Sequence, residues 1–339
     1  MTAPFRARPW LWAACLVLAA PLAQAATSFN GLYIVGDSLS DAGNAAAAVG
    51  TDPAQVISSN AYVPARPYGS GTLSNGDVWA TTFAQALGLS AAPSLAGGTN
   101  FAFGGARTSG GAAPSLAVQA GGLLSATGNL LPPDALYVVA GGGNNGRDAL
   151  VAIAGGADAN TTIATTAATY AADVGGIVDS LQAAGARHIV VWNAPNLGLT
   201  PAARLAGPAA QAGASFLTAQ MNAKLEEELA GEQGVYTFDL YGLVSTVVAA
   251  AQDPSNNSPF LNVTDACGNP AAACDPATAL FWDGIHPTTL GHQVIAGGML
   301  ATVAAIPEPS TYALMLGGLV AVGVLARRRG ARAVPQLGA

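Results

Sequence analysis

Residues 32–44 read LYIVGDSLSDAGN, and this stretch decides how the chain is expected to fold. The apolar run at residues 32–35 is typical of a buried strand, and Gly36 after it permits a tight turn. Such a turn presents the hydroxyl of Ser38 at the end of a sheet, where it can act as a nucleophile. Near the other end of the chain, residues 283–288 read DGIHPT. The two stretches together supply a serine, an aspartate and a histidine in an order that a nucleophilic hydrolase can use.

Further apolar runs predict a parallel sheet with helices on both faces. Strands are predicted at residues 32–35, 100–103, 135–140, 188–192 and 235–239, and helices at residues 77–87, 162–184, 209–229 and 290–304. Alternating strands and helices of this kind predict one three-layer α/β/α domain with a flavodoxin-like parallel sheet. In such sheets ligands bind at the carboxyl ends of the strands, which is where Ser38 and Asn144 fall. The Gly/Ala/Ser-rich residues 104–128 are expected to form a long surface loop.

The composition excludes a disordered chain and argues against nucleic acid as a partner. Of the 339 residues, 51% are hydrophobic and 9% are charged, and the formal net charge is −7. These values fit a globular core without the basic surface that binds phosphate backbones. We therefore expect no nucleic-acid partner.

Residues 1–25 have the layout of a secretory signal peptide. Two arginines, Arg6 and Arg8, precede an apolar run at residues 10–22, and the sequence AQA at residues 23–25 supplies small residues for cleavage. The chain is therefore expected to be exported.

Cys267 and Cys274 are the cysteines that remain after removal of this segment. In an exported protein they are expected to form a disulfide that closes a short loop. Two cysteines without a histidine at ligand spacing do not complete a tetrahedral zinc site, so no metal is expected.

Residues 306–331 resemble the bacterial PEP-CTERM sorting signal. Pro-Glu-Pro at residues 307–309 is followed by an apolar stretch at 312–326 and by three arginines at 327–329. The resemblance implies recognition by export and sorting machinery and a short transmembrane helix that enters the membrane transiently. The protein is then expected at the surface of a bacterial cell, or outside it, after both terminal signals are removed. A permanent C-terminal anchor is the alternative, because hydropathy does not separate lasting from transient insertion.

Three further blocks accompany the serine and histidine motifs: NFAFGGA at residues 100–106, GGNN at 142–145 and NAPNLGLTP at 193–201. With them, residues 30–303 resemble the GDSL esterase/lipase family, also called SGNH hydrolases, and in particular its secreted lipase-like branch. The resemblance implies the SGNH hydrolase fold over residues 26–305. It also implies hydrolysis of small-molecule or lipid carboxylic esters through an acyl-enzyme, without a cofactor. The motifs do not define the acyl chain or the alcohol.

The resemblance assigns a catalytic triad to Ser38, Asp283 and His286. Ser38 is the expected nucleophile, and His286 is the expected general base that passes the serine proton to the leaving alcohol. Asp283 lies three residues before His286, a spacing that lets its carboxylate fix the imidazole tautomer. Alternatively, Asp37 and Ser38 only cap a helix that begins near Leu39.

An ester hydrolase also needs hydrogen-bond donors for the oxyanion that forms at the substrate carbonyl. The resemblance assigns these donors to the backbone N–H groups of Ser38 and Gly105 and to the side-chain amide of Asn144. Gly104 is the alternative to Gly105, because the two glycines are adjacent in the motif.

Other residues near the expected site are assigned supporting roles. Asp37, Asp41 and Asn44 are expected to hold the serine loop, although each could equally form a turn. Asn145 departs from the family pattern, which commonly has an aspartate at this position. An amide is expected to replace part of that hydrogen-bond network, so that activity is perturbed and not abolished, and Asp148 is a candidate to compensate.

Two other classes of function stay open from the sequence alone. An acyltransferase would pass the acyl group from the same acyl-enzyme to an alcohol or a glycan instead of water. A non-catalytic surface or matrix protein would keep the fold without the chemistry, an alternative raised by Asn145 and by the sorting signal.

Overall fold

The structure is a computed structural model that describes residues 28–253, 255–306, 317–324 and 327. Its core is a four-stranded parallel sheet. The strands of this sheet are β1 (Leu32–Gly36), β2 (Leu136–Ala140), β3 (His188–Trp192) and β4 (Val235–Phe238). They are hydrogen-bonded in the order β1-β2-β3-β4, and each neighbouring pair is parallel. Residues 28–306, which contain the sheet, form one compact unit.

Helices cover both faces of the sheet. In chain order they are α1 (Asn44–Val49), α2 (Trp79–Ala86), α3 (Leu116–Ala126), α4 (Gly143–Ala154), α5 (Ala159–Ala183), α6 (Pro201–Leu205), α7 (Pro208–Glu228), α8 (Leu240–Gln252) and α9 (Thr289–Ala304). Tyr137 and Val139 pack with α3, α5 and α7 on one face. Leu136 and Val138 pack with α2 and α9 on the other. Successive residues of β2 thus alternate between two buried faces, and the predicted three-layer α/β/α class is confirmed.

The four predicted helices correspond to α2, α5, α7 and α9, with ends that differ by a few residues. The start of α9 matters for the site, because it fixes the end of the DGIHPT motif. The hydroxyl of Thr288 accepts the N–H of Gly291 at 3.1 Å and so caps the helix.

The prediction of a strand at residues 100–103 is wrong, because the segment is extended but irregular. It lies beside β1, where the N–H of Phe101 donates to the carbonyl of Ile34 at 2.7 Å. The ladder is incomplete at the end of β1, because the N–H of Gly36 bonds to the side chain of Gln119 at 2.8 Å and not to this segment. With this segment on the outer side of β1, the order along the sheet is that of a flavodoxin-like fold.

The expectation of a loop throughout residues 104–128 is also wrong, because this stretch contains α3. The Ser115 side chain caps the helix at its N-terminus. Its core-facing residues lie one helical turn apart: Leu116, Ala120 and Leu123. Gly121 and Gly122 interrupt this helical pattern in the sequence, which is why composition favoured a loop.

The predicted signal peptide, residues 1–25, lies outside the described residues, as does most of the predicted sorting segment at residues 306–331. Residues 317–324 and 327 are helical and belong to a second unit. Within the described parts of the chain, no helix is both long enough and apolar enough to cross a membrane.

Candidate active site

β1 ends at Gly36, two residues before Ser38, at the carboxyl edge of the sheet. A Cβ atom on Gly36 would lie 2.8 Å from the carbonyl oxygen of Ala140, so the position has room only for glycine. The side chain of Gln119 in α3 holds this strand end. Its Oε1 accepts the N–H of Gly36 at 2.8 Å, and its Nε2 donates to the Gly36 carbonyl at 2.9 Å. Sequence reasoning missed Gln119, because it lies in the stretch that was expected to be a loop.

The residues after β1 form a turn around Ser38 that Asp37 stabilises. The Asp37 carboxylate accepts the N–H of Leu39 at 3.0 Å, and its backbone carbonyl accepts the N–H of Asp41 at 3.1 Å. The chain at Leu39 is a turn and not the helix of the capping alternative, and α1 follows it. Burial raises the pKa of Asp37 to about 6, although the Leu39 N–H and the charges of His286 and Arg147 act in the opposite direction.

The structure brings the serine hydroxyl, the imidazole and the carboxylate together. Ser38 Oγ lies 2.9 Å from His286 Nε2, and His286 Nδ1 lies 2.7 Å from Asp283 Oδ2. The three residues are 8%, 3% and 0% exposed, so little water competes for these hydrogen bonds. Although 248 positions separate Ser38 from His286, the contact allows a proton to pass directly from the hydroxyl to the ring.

Four hydrogen bonds fix the Asp283 carboxylate. Oδ1 accepts the N–H groups of Ile285 at 2.9 Å and His286 at 2.8 Å. Oδ2 accepts the Tyr68 hydroxyl at 2.8 Å in addition to the imidazole. Burial and the adjacent carboxylate raise the pKa of Tyr68, so its hydroxyl stays protonated and acts as a donor. Sequence reasoning missed Tyr68, because 215 positions separate it from Asp283 and no local pattern joins them.

Three hydrogen-bond donors with spare capacity belong to residues that line the same cavity: Ser38, Gly105 and Asn144. Among the described residues, the backbone N–H groups of Ser38 and Gly105 have no hydrogen-bond partner. Gly105 has a φ of 80°, a left-handed conformation that favours glycine. Asn144 Nδ2 donates one hydrogen to the carbonyl of Ala106 at 2.9 Å and retains a second. The arrangement can therefore supply hydrogen bonds to an oxyanion.

Asp41 joins the serine loop to the glycine loop. Its carboxylate accepts backbone N–H groups at 2.6–3.0 Å from Gly43, Asn44, Ala45 and Gly104. Because the N–H of Gly104 is already bonded to Asp41, the geometry favours Gly105 over Gly104 as an oxyanion donor.

Asn44 holds the extended segment beside β1. Its Nδ2 donates to the carbonyls of Asn100 at 2.8 Å and Ala102 at 2.9 Å, and its Oδ1 accepts the N–H of Leu95 at 3.0 Å. These bonds fix the stretch of chain that leads to Gly105.

The Asn145 side chain forms two hydrogen bonds with Thr108, one as acceptor and one as donor. Its Oδ1 accepts the N–H of Thr108 at 3.1 Å, and its Nδ2 donates to Thr108 Oγ1 at 2.8 Å. The hydroxyl in turn donates to Asp173 at 2.6 Å. The amide thus supplies a donor that an aspartate lacks, and the negative charge of this network is that of Asp173. Asp148 does not join the network, because its carboxylate pairs with Arg107 at 2.5 and 2.8 Å.

Cys267 and Cys274 form a disulfide close to the acidic residue of the site. The N–H of Cys267 donates to the carbonyl of Phe281 at 3.0 Å, so the disulfide loop braces the segment that leads to Asp283. Within the described residues, no group of three or more histidine, cysteine, aspartate or glutamate side chains could hold a metal ion.

The other two histidines do not contact Ser38. His292 is buried in α9, and burial lowers its pKa to about 3, so its ring is neutral. His188 begins β3, where burial also lowers its pKa. In the described structure the Nδ1 atom of each lacks a hydrogen-bond partner.

Ser38, His286 and Asn144 line a cavity of about 390 Å³, a size that suits a small ligand. Arg147 also lines it, and Arg147 Nη1 lies 3.3 Å from Asn144 Oδ1. The Asn144 amide is therefore oriented at both ends, by Arg147 and by the carbonyl of Ala106.

Comparison with known sequences assigns this arrangement to a family. The family described as GDSL-like Lipase/Acylhydrolase matches residues 32–298, a range that includes Ser38, Asp283 and His286. The chain belongs to this family. The resemblance seen in the sequence is confirmed.

A second match, to the PEP-CTERM protein-sorting motif, covers residues 305–329 of this chain. It confirms the sorting signal seen in the sequence. In bacteria this motif indicates export and sorting to the cell surface.

The GDSL chain is 32% identical over 334 residues to "Esterase EstA" of Pseudomonas aeruginosa, and equally to "Esterase EstA" of Pseudomonas putida. Each alignment covers 84% of this chain and 49% of the relative, so the chain spans about half the length of the curated relatives it matches. Among solved structures, LAE5, an alpha/beta hydrolase enzyme from the metagenome of Lake Arreo in Spain, matches at 16% identity with a TM-score of 0.43. That alignment covers 84% of this chain and 99% of the other.

Proposed function

We propose that this chain is a secreted serine esterase or lipase that hydrolyses carboxylic esters through an acyl-enzyme on Ser38. The observation that carries the proposal is the continuous path of contacts from Ser38 Oγ to His286 at 2.9 Å and from His286 to Asp283 at 2.7 Å. This geometry suits removal of the serine proton by a ring whose tautomer the carboxylate fixes.

In the first half-reaction, Ser38 Oγ bonds to the carbonyl carbon while its proton passes to His286 Nε2. The carbonyl oxygen becomes an oxyanion and accepts hydrogen bonds from the N–H groups of Ser38 and Gly105 and from Asn144 Nδ2. The bond to the alcohol then breaks, and the departing alcohol takes the proton from His286.

In the second half-reaction, water gives a proton to His286 while its oxygen bonds to the acyl carbon. The bond between that carbon and Ser38 Oγ then breaks, Ser38 recovers the proton, and the carboxylic acid is released. Asp283 stabilises the imidazolium that forms in each half-reaction, and its four hydrogen bonds keep it in place while it does so.

Replacement of Ser38 by alanine tests the proposal. Ser38→Ala is expected to lower kcat on p-nitrophenyl butyrate by about 10³ to 10⁶-fold, without a change in the midpoint of unfolding. Ser125→Ala, at an exposed position of α3, is the matched control and should keep the wild-type turnover. Survival of the esterase activity in Ser38→Ala would rule out this nucleophile.

Two further measurements separate this function from the other classes. A fluorophosphonate probe is expected to label Ser38, and an unlabelled serine would favour a non-catalytic surface or matrix protein. In the presence of a competing alcohol, free acid is expected as the main product. A predominance of the new ester would instead favour an acyltransferase, because water would then be excluded from the acyl-enzyme.

The terminal segments fit an extracellular role. Export would remove residues 1–25, and the sorting segment at residues 306–331 would contact the membrane transiently before its own removal. Mass spectrometry of the exported protein tests this step, with termini expected near residues 26 and 305. A membrane-bound protein that keeps the C-terminal segment would instead support a permanent anchor.

A further inference from the structure

A second cavity, of about 520 Å³, lies beside the cavity that contains Ser38. The two cavities share Val63 and Arg147 in their walls, and Ile285, next to His286, also lines the second one. Its other walls come from α4, α6, α7 and the start of α5, together with Ala61, Leu197, Thr200 and Ala206 from the connecting segments. We call this cavity the apolar groove.

The lining of the apolar groove is almost entirely aliphatic. α4 contributes Leu150, Val151 and Ile153, whereas α6 and α7 contribute mainly alanines, whose small side chains leave the space open. Among the described residues that line it, Arg147 is the only charged one. Val151 is 72% exposed, so the apolar surface continues to the solvent. Such a surface suits a hydrocarbon chain and not a sugar or peptide, whose polar groups would lose hydrogen bonds to water there.

We propose that the apolar groove binds the acyl chain of the substrate, so that esters of medium and long chains are preferred over acetyl and butyryl esters. This inference rests on the proposed function. The acyl group stays bonded to Ser38 through both half-reactions, whereas the alcohol leaves after the first. A hydrocarbon site next to the serine therefore holds the acyl chain in both steps. Arg147, which contacts Asn144, lies at the border between the cavity that contains Ser38 and the apolar groove.

The chain-length dependence of kcat/KM measures this binding. p-Nitrophenyl esters from butyrate to decanoate are compared below the concentrations at which they aggregate, so that no lipid surface contributes. Full burial of one methylene raises kcat/KM about fourfold. Because the groove is open to solvent on one side, each added methylene is expected to raise kcat/KM about twofold. Over six added methylenes, the decanoate-to-butyrate ratio of kcat/KM is then on the order of 50.

Gly213 offers a way to fill the apolar groove without a clash. It lies within α7 and lines the groove, and a Cβ atom on it would meet nothing within 4 Å. Gly213→Phe is expected to reduce the decanoate-to-butyrate ratio at least tenfold. Ala154→Phe, on the α4 wall, is a second variant with the same expected effect. Gly176→Phe is the control, because Gly176 is an exposed helical glycine with equally open surroundings that does not line the groove.

The inference is overturned if wild-type kcat/KM does not rise with acyl length, or if both groove variants keep the wild-type ratio. A series of alkyl acetates provides a further test, because a gain that follows the alcohol chain and not the acyl chain also overturns it. If wild-type protein hydrolyses none of the esters from butyrate to decanoate, the proposed function itself is wrong. Failure of the inference and failure of the proposed function are therefore distinguishable.

Discussion

Replacing Tyr68 by phenylalanine would remove one hydrogen bond from the Asp283 carboxylate and keep the packing of the ring. The Tyr68 hydroxyl donates to Oδ2 at 2.8 Å, the same oxygen that accepts from His286 Nδ1 at 2.7 Å. Without this donor, more of the negative charge on Oδ2 is available to the imidazole, which is then held more strongly in its protonated form. A protonated ring cannot act as a base, so the acidic limb of the kcat/KM profile should move to higher pH.

The size of this shift follows from the hydrogen bonds that remain. A hydrogen bond to a charged group contributes about 1.5–3 kcal/mol, and three of the four bonds to Asp283 persist in the variant. If about a third of the lost contribution strengthens the contact with His286, the gain is about 0.5–1 kcal/mol, or about 0.4–0.7 pH units. Asp37 and His292 also act on His286, Arg147 acts on Asp283, and all three are unchanged by the substitution.

The assay is kcat/KM on p-nitrophenyl butyrate between pH 5 and 9 for wild type, Tyr68→Phe and Tyr62→Phe. Tyr62 lies in the same loop, and its hydroxyl bonds to Gln55 at 3.0 Å and not to Asp283, so its variant should keep the wild-type profile. If Tyr68→Phe lowers the plateau but leaves the acidic limb in place, the electrostatic reasoning is refuted and the hydroxyl has only a structural role.

Three further predictions concern the oxyanion donors, a buried carboxyl and the disulfide. Asn144→Ala should lower kcat on the butyrate ester by about 10² to 10³-fold, because it removes one of the proposed oxyanion donors. A loss below threefold in steady-state kinetics would contradict this role. The raised pKa of Asp37 means that its contribution to stability is present below the unfolded value of 3.8 and is lost as the pH rises through about 6. The free energy of unfolding of Asp37→Asn relative to wild type should therefore rise by about 2.4 kcal/mol between pH 4 and pH 8, and an equal difference at the two pH values in urea unfolding would refute this. Replacing Cys267 and Cys274 by serine should lower the free energy of unfolding by about 2.4 kcal/mol for a separation of seven residues, and a double variant as stable as wild type would argue against a supporting role for this loop.

Much of the fold could be predicted because burial leaves a pattern in the sequence. Every residue of β2 is buried, and this apolar run was found without difficulty. Residues 100–103 are also mostly apolar, but the N–H of Gly36 bonds to the side chain of Gln119 and leaves the ladder between this segment and β1 incomplete, and composition does not reveal such a bond. α3 was not predicted, because its two glycines lower the helix propensity of the segment. The packing of its buried residues against the sheet nevertheless stabilises the helix.

The residues of the candidate site could be predicted where they lie in a short motif, and not where they depend on contacts between distant positions. Ser38, Asp283 and His286 lie in short motifs whose turns are formed by neighbouring residues, so the sequence alone pointed to them. The bonds from Tyr68 to Asp283 and from Gln119 to Gly36 join positions 215 and 83 residues apart. No spacing rule links such pairs, because the topology of the sheet alone brings them together.

The hydrogen bonds of Asn44 also decide what the outer edge of the sheet can pair with. The outward carbonyls of Asn100 and Ala102 are occupied by the Asn44 amide. The N–H of Asn100 donates to Ala92 at 3.0 Å, and that of Ala102 is taken by the Asn100 side chain. The backbone groups of these two residues are thus unavailable as a template for a strand from another molecule. This border of the sheet is in this way protected from edge-to-edge pairing with another molecule.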